Sequence, residues 1–130
     1  MVDEEAGRVV GDLDEFCATE PCVVVIATTG TEEEAKAITD ELLDERLAAC
    51  VQKIPIFSSY HWQGKRCDEA ELMLLIKTRA SLYQGVEASI KANHSYEVPE
   101  IIQVPITGAL PEYLQWIIQQ TEEPRFSISF

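Results

Sequence analysis

The densest set of reactive groups lies in Asn93-His-Ser-Tyr-Glu-Val-Pro-Glu-Ile101, which brings an imidazole, a phenol and two carboxylates into one short connection. An imidazole can bind a metal or move a proton near neutral pH, and carboxylates and phenols add oxygen donors. A connection this rich in ionisable and aromatic groups reads as a site rather than a link. A second set, Tyr60, Trp62, Lys65, Glu69, Glu71 and Lys77, falls among strong strand formers. Positions 69, 71 and 77 differ by even numbers, so on an unbulged strand these three side chains share a face. Lys77 there reads as a neutralising partner more readily than as a nucleophile. His61 alternates with Tyr60 and Trp62 and reads as a polar face residue. His94 follows a helix end, where the dipole favours a cationic imidazole, so a structural C-cap competes with a ligand role. The chain has no Gly-rich phosphate loop, no GxSxG elbow and no HExxH helix. It offers no defensible nucleophile–base pair, and no enzyme activity is expected.

The elements that must position these groups follow from periodicity. Cys22-Val-Val-Val-Ile-Ala-Thr28 is a continuous apolar run, expected as a strand buried on both faces. Thr31-Glu-Glu-Glu34 has the form of a capping box, with Glu34 reaching back to the cap. Ala35, Ile38, Leu42 and Leu43 then recur at helical spacing through Arg46. Ala49 to Trp62 is strand-forming, and Pro55 within it implies an edge or a bulge. Gln63-Gly64-Lys65 signals a turn, and Asp68 to Thr78 reads as the returning strand of a long hairpin. Ser81-Leu-Tyr-Gln84 resembles a second capping box, opening a helix that ends near Asn93. Glu100 to Ile106 supplies a fourth strand, Pro111 to Gln119 a short helix, and Phe126 to Phe130 a short terminal strand. The order is β-α-β-β-α-β with a short C-terminal helix, an α+β chain of ferredoxin-like arrangement. One sheet face takes both helices; the other face and the overlong hairpin need cover, so self-association is expected.

The composition, 46% apolar and 25% charged, is that of an ordinary folded domain. The charge is not ordinary: 23 Asp and Glu against 10 Lys and Arg leave −13. That balance opposes nucleic-acid binding, which needs cations against phosphates, and opposes anionic membrane surfaces. Residues 1–20 hold seven acids and one base and read as a flexible acidic leader. Residues 21–121 then form the domain and 122–130 a tail. The acidic start has no apolar core of a secretory signal, and a cytosolic location is expected. Cys17, Cys22, Cys50 and Cys67 form no CxxC pair; reduced thiols are expected, with Cys50 buried as a small hydrophobe.

Several runs together carry a family resemblance. Leu-Leu-Asp-Glu-Arg-Leu-Ala-Ala-Cys-Val at 42–51, Ser-Tyr-His-Trp-Gln-Gly-Lys at 59–65, Lys77-Thr78, His-Ser-Tyr-Glu-Val-Pro-Glu-Ile at 94–101 and Tyr-Leu-Gln-Trp-Ile at 113–117 occur in one order. In this the chain resembles the CutA divalent-cation tolerance family over residues 22 to 119. The resemblance implies a ferredoxin-like subunit in a tight homotrimer, linked to tolerance of copper and other divalent metals and without an established reaction. It implies Tyr60, Trp62, Glu69, Glu71, Lys77 and Tyr96 as groups at inter-subunit clefts, and His94 as the metal ligand. The copper-binding pattern has a cysteine late in the first strand and a His-His pair after the second helix. Here those positions read Ala27 and Asn93-His94. Copper prefers thiolate and imidazole to an amide, so a copper or zinc site at His94 is expected to be weak. The alternative is a trimeric sensing or scaffold protein like the PII proteins. It would bind a small anionic metabolite through Lys65, Lys77 and Arg79 with Trp62 and Tyr96.

Overall fold

A computed structural model describes residues 20–122. The acidic leader up to residue 19, Cys17 within it, and the strand expected at Phe126–Phe130 lie outside those residues. Within them the strands are β1 (Cys22–Thr29), β2 (Cys50–Trp62), β3 (Lys65–Arg79) and β4 (Ile101–Pro105). The helices are α1 (Glu32–Asp44), α2 (Tyr83–Ala92) and α3 (Pro111–Gln120), with a 3-10 turn at Ala80–Leu82. The four strands form one sheet in the order β2-β3-β1-β4, every neighbouring pair antiparallel.

The hairpin is longer than its composition implied, since β3 begins at Lys65 rather than Asp68. Its register runs unbroken from Cys50 opposite Lys77 to Trp62 opposite Lys65. Pro55 is therefore accommodated because β2 is an edge strand, not because the ladder bulges. The turn is two residues, Gln63 and Gly64, with φ of 52° and 79°, the left-handed pair that matches the twist of the flanking strands.

Two capping expectations change. Thr31 caps α1, its Oγ1 accepting the Glu34 amide at 3.1 Å. The Glu34 carboxylate does not return to the cap; Oε2 accepts the Ser95 amide at 2.8 Å instead. At Ser81 there is no capping box: a 3-10 turn precedes α2, whose Leu82 cap makes no side-chain bond. Ser81 Oγ donates instead to Glu20 Oε2 at 2.6 Å. Each departure has one cause, a tertiary partner that outcompetes the local one. Gly85 in α2 has a tertiary reason too, because a Cβ there would stand 3.1 Å from Leu47 Cδ2.

The core lies between the sheet and helices α1 and α2. Val23, Val25, Ala27, Leu74 and Ile76 from the strands meet Ala35, Ile38, Leu42, Val86 and Ile90 from the helices. The alternate strand positions point the other way. Cross-strand partners share a face, which gathers Val24, Ile26, Ile54, Met73, Leu75, Ile102 and Val104 on one side. Of these, Ile54, Ile102 and Val104 are each more than 40% exposed. Helix α3 covers only the Cys22–Arg79 end of that face, burying Ile117. The buried Arg79 anchors it, donating to the Ile118 carbonyl and to Thr121 Oγ1, both at 2.8 Å. The runs expected to be buried on both faces are buried at Val25, Ala27, Leu74 and Ile76 on the helix side, and only part-buried at Val24, Ile26, Met73 and Leu75 on the other within a single chain. Cys50 is half-buried, and Cys22, Cys50 and Cys67 are free thiols.

Candidate functional site

The hairpin end of the open face carries a cavity of about 610 Å³. Strand β2 contributes Ser58, Tyr60 and Trp62, which share a face by alternation, and β3 contributes Glu69 and Glu71. Thr28 closes it from the end of β1, and Tyr96, Glu97, Val98 and Glu100 come from the α2–β4 connection. Four carboxylates and three large aromatic rings therefore line one cavity, and no Lys, Arg or His is among its lining residues.

The phenols and carboxylates are paired. Tyr60 donates to Glu69 Oε1 at 2.9 Å and Tyr96 to Glu71 Oε2 at 2.7 Å. A carboxylate accepts through two oxygens with about four lone-pair positions, so each glutamate keeps capacity for a cation. Tyr96 reaches across β1 because the turn leaves room: a Cβ on Gly30 would lie 2.9 Å from the Tyr96 hydroxyl. Burial, followed by the hydrogen bond to Glu71, holds the Tyr96 phenol far above its ordinary range. The Glu69 hydrogen bond pushes Tyr60 up to about 12 from its ordinary 10.0. Both are hydrogen-bond donors at neutral pH, not phenolate ligands.

A pH dependence follows from Tyr60. Its contribution to stability is fully present below pH 10.0. Between there and about 12 the native state retains a proton that the unfolded chain has lost, so stability falls as pH rises through that window. Phenolate absorbance of the native protein should therefore lag that of the unfolded chain in an alkaline titration. Coincident titration curves would contradict the Tyr60–Glu69 bond.

His94 stands behind this cavity rather than in its lining. Its side chain is fully buried, with Nε2 2.7 Å from the Thr28 carbonyl and Nδ1 accepting the Tyr96 amide at 3.1 Å. A carbonyl can only accept, so Nε2 carries the hydrogen and Nδ1 is the acceptor. The ring also packs on Tyr96, centroids 4.7 Å apart. Both nitrogens are thus committed to backbone, and a metal at Nδ1 would have to displace the Tyr96 amide. Glu34 Oε1, buried without a hydrogen-bond partner, lies 3.9 Å from Nδ1. No group of three or more His, Cys, Asp or Glu arranged to hold a metal occurs among the described residues.

Of the residues singled out from sequence, Tyr60, Trp62, Glu69, Glu71 and Tyr96 converge on the cavity. Lys77 does not. It shares their strand face, but six residues of strand carry it about 20 Å away, where Nζ donates to Gln52 Oε1 at 2.5 Å. Lys65 faces Trp62 beside the hairpin turn, and Arg79 is buried against the end of α3. The three basic groups of the anionic-ligand alternative are therefore spread along β3 and do not meet within one chain. Thr28, Ser58, Glu97, Val98 and Glu100 were not singled out individually. For Glu97 and Glu100 the signal was the crowded connection they share with Tyr96. Glu34 was hidden by its resemblance to an ordinary cap.

Comparison with known proteins places these observations. The sequence model of a family described as CutA1 divalent ion tolerance protein matches residues 23–120. Protein CutA, chloroplastic, of Arabidopsis thaliana is 41% identical over 110 residues, which cover 84% of this chain and 60% of that protein. The divalent-cation tolerance protein CutA of Thermus thermophilus is 42% identical over 99 residues, 75% of this chain and 96% of that one. The crystal structure of CutA1 from Oryza sativa superposes with a TM-score of 0.78 at 43% identity, covering 81% of this chain and 97% of that chain. The chain spans 60% of the Arabidopsis protein's length and 63% of a rice relative's. The names of relatives cite more than one compartment: chloroplastic for these plant proteins, periplasmic for an Archaeoglobus fulgidus structure. Among the described residues no helix is long and apolar enough to cross a membrane.

Proposed function

The chain belongs to the CutA1 divalent ion tolerance family, and from that premise we propose that it acts in divalent-cation tolerance as a homotrimer of ferredoxin-like subunits. In this reading a cation is held in the cavity at the hairpin end of the open sheet face. The observation that supports it best is the lining itself: Glu69, Glu71, Glu97 and Glu100 with no basic residue among them. Glu69 and Glu71, the two carboxylates held by phenol donors, offer hard oxygen ligands to a divalent ion that keeps most of its waters, since no three acidic or imidazole groups converge on a closed metal cage among the described residues. Copper or zinc would bind more weakly, at His94, because Nδ1 must first release the Tyr96 amide. The relatives' names describe tolerance proteins rather than enzymes, and the cavity's groups act here as ligands, not as an acid–base pair.

The apolar positions on the open face supply the trimer contact in this reading, and the −13 charge per chain keeps the assembly soluble. The same charge gathers cations without any site, so accumulation alone is uninformative. Calorimetric titration of the whole protein with Mg(II), Cu(II) and Zn(II) at about 0.15 M salt, where surface attraction is screened beyond roughly 8 Å, separates the two. Saturable binding at a fixed stoichiometry per chain is expected for at least one ion, lost in Glu69→Gln and Glu71→Gln. Heats that never saturate, or that ignore both substitutions, would overturn the cavity as a metal site.

A further inference from the structure

We infer that Glu34 is a positioning residue: by holding the Ser95 amide it fixes the α2–β4 connection on α1, and so sets the Tyr96 phenol against Glu71. The consequence for cation binding rests on the reading above, in which Glu71 is a ligand; the placement of Tyr96 does not.

The connection from Asn93 to Glu100 contains no strand or helix of its own, so no ladder holds its backbone. Side chains hold its first residues instead. The Ser95 amide donates to Glu34 Oε2 at 2.8 Å, and the Tyr96 amide to His94 Nδ1 at 3.1 Å. Asn93 Nδ2 donates to Glu41 Oε1 at 2.8 Å, a second tie to the same helix. His94 is bonded in turn to the Thr28 carbonyl, and Tyr96 ends the series on Glu71 Oε2, both at 2.7 Å. Three consecutive residues are thus fastened to three elements: His94 to β1, Ser95 to α1 and Tyr96 to β3.

Glu34 is placed to hold this connection. The Thr31 hydroxyl takes the Glu34 amide and fixes its backbone in the first turn of α1, where the helix dipole favours a carboxylate. The side chain turns inward rather than out to water. Oε1 is buried with no hydrogen-bond partner, 3.9 Å from His94 Nδ1, beyond hydrogen-bond reach. An unsatisfied buried acceptor costs free energy, and swinging the carboxylate out would hydrate both oxygens but release Ser95. The bond at Oε2 is what keeps the inward pose. These contacts do not depend on the oligomer. Within one chain the His94 side chain is fully buried, that of Glu34 is 17% exposed, and Glu71 is buried; assembly can only bury them further.

The test compares Glu34→Ala, which removes the acceptor, with Glu34→Gln, which keeps an oxygen for Ser95, each in the whole protein and each shown by thermal melting to be folded. Amide hydrogen exchange and the Glu71 carboxyl carbon resonance are followed by NMR. Losing one hydrogen bond of ordinary net strength changes an opening equilibrium about tenfold. The Tyr96 amide, which Glu34 does not touch, should therefore exchange about tenfold faster in Glu34→Ala, while the Leu42 amide within α1 keeps its wild-type rate. The Glu71 resonance should move toward its position in Tyr96→Phe, and Glu34→Ala added to Tyr96→Phe should move it no further. Glu34→Gln should keep both signals near wild type. Unchanged Tyr96 exchange, or an unmoved Glu71 resonance, in Glu34→Ala would each overturn the inference. So would an equal acceleration at Leu42, the mark of general loosening, or a Glu34→Gln variant as impaired as Glu34→Ala. Mg(II) titrated alone keeps the two readings apart. Failure of Mg(II) to bind the wild-type protein counts against the cavity as its site and leaves the exchange result to decide the role of Glu34; Mg(II) binding with Tyr96 exchange unchanged in Glu34→Ala sinks the positioning role only.

Discussion

For the proposed homotrimer, Leu75→Glu is expected to give a chain that still folds but no longer assembles, its solution mass falling from three times 14.6 kDa to 14.6 kDa. Leu75 lies on β3 between Ile26 of β1 and Gln52 of β2, near the centre of the apolar face that the helices α1 and α2 leave uncovered. Its side chain points away from the core formed by Leu74 and Ile76, so the substitution does not enter that core. Each large aliphatic side chain on this face yields about 1.5–3 kcal/mol if association buries it fully. A glutamate in the same place puts an unpaired carboxylate into the contact, at a cost of several kcal/mol per chain. Sedimentation or light scattering at micromolar concentration reads the result. A wild-type protein that is already a single chain would refute the homotrimer. So would a Leu75→Glu variant that keeps the mass of three.

His94→Ala is expected to destabilise the protein by about 3 kcal/mol, more than a surface histidine would. The imidazole is fully buried and serves two backbone groups, the Thr28 carbonyl and the Tyr96 amide. Truncation leaves both without this partner and opens a space under Tyr96. The hydrogen bond from Tyr96 to Glu71 should loosen with it, since the residue that carries that phenol is held through its own amide. Denaturant unfolding at fixed chain concentration measures the loss, and a change below about 0.5 kcal/mol would contradict the structural role. The result also governs how metal experiments are interpreted. Weaker metal binding in His94→Ala would follow from a disordered Tyr96 as readily as from a lost ligand. Glu71→Gln removes the charge while keeping an acceptor for the Tyr96 phenol, and is the cleaner probe of the cavity.

Tyr60, Trp62, Glu69 and Glu71 were singled out by the family resemblance; spacing alone put only Glu69 and Glu71, with Lys77, on one strand face, and it is the unbulged register that sets Tyr60 and Trp62 on that same face. Tyr96 was legible by its company in a crowded connection. The same spacing put Lys77 on that face, where the register keeps it, but parity says nothing of distance along a strand, and within one chain Lys77 stands apart from the cavity. Glu34 was misread because a capping box is a local pattern, and the local partner lost to the Ser95 amide sixty-one residues away.

From the sequence came the strand and helix order within residues 20–122, the long hairpin and the family, whereas which half of each strand enters the core came only from the packing of the helices. The first three depend on short-range periodicity or on motifs in order. Only the tertiary structure decided that the four carboxylates share a cavity with three aromatic rings and no basic side chain. It alone decided that His94 spends both nitrogens on backbone. Both outcomes depend on how the α2–β4 connection folds over the end of β1. That path is set by hydrogen bonds between residues far apart in the chain, from His94 to the Thr28 carbonyl and from Tyr96 to Glu71, and no local spacing encodes them.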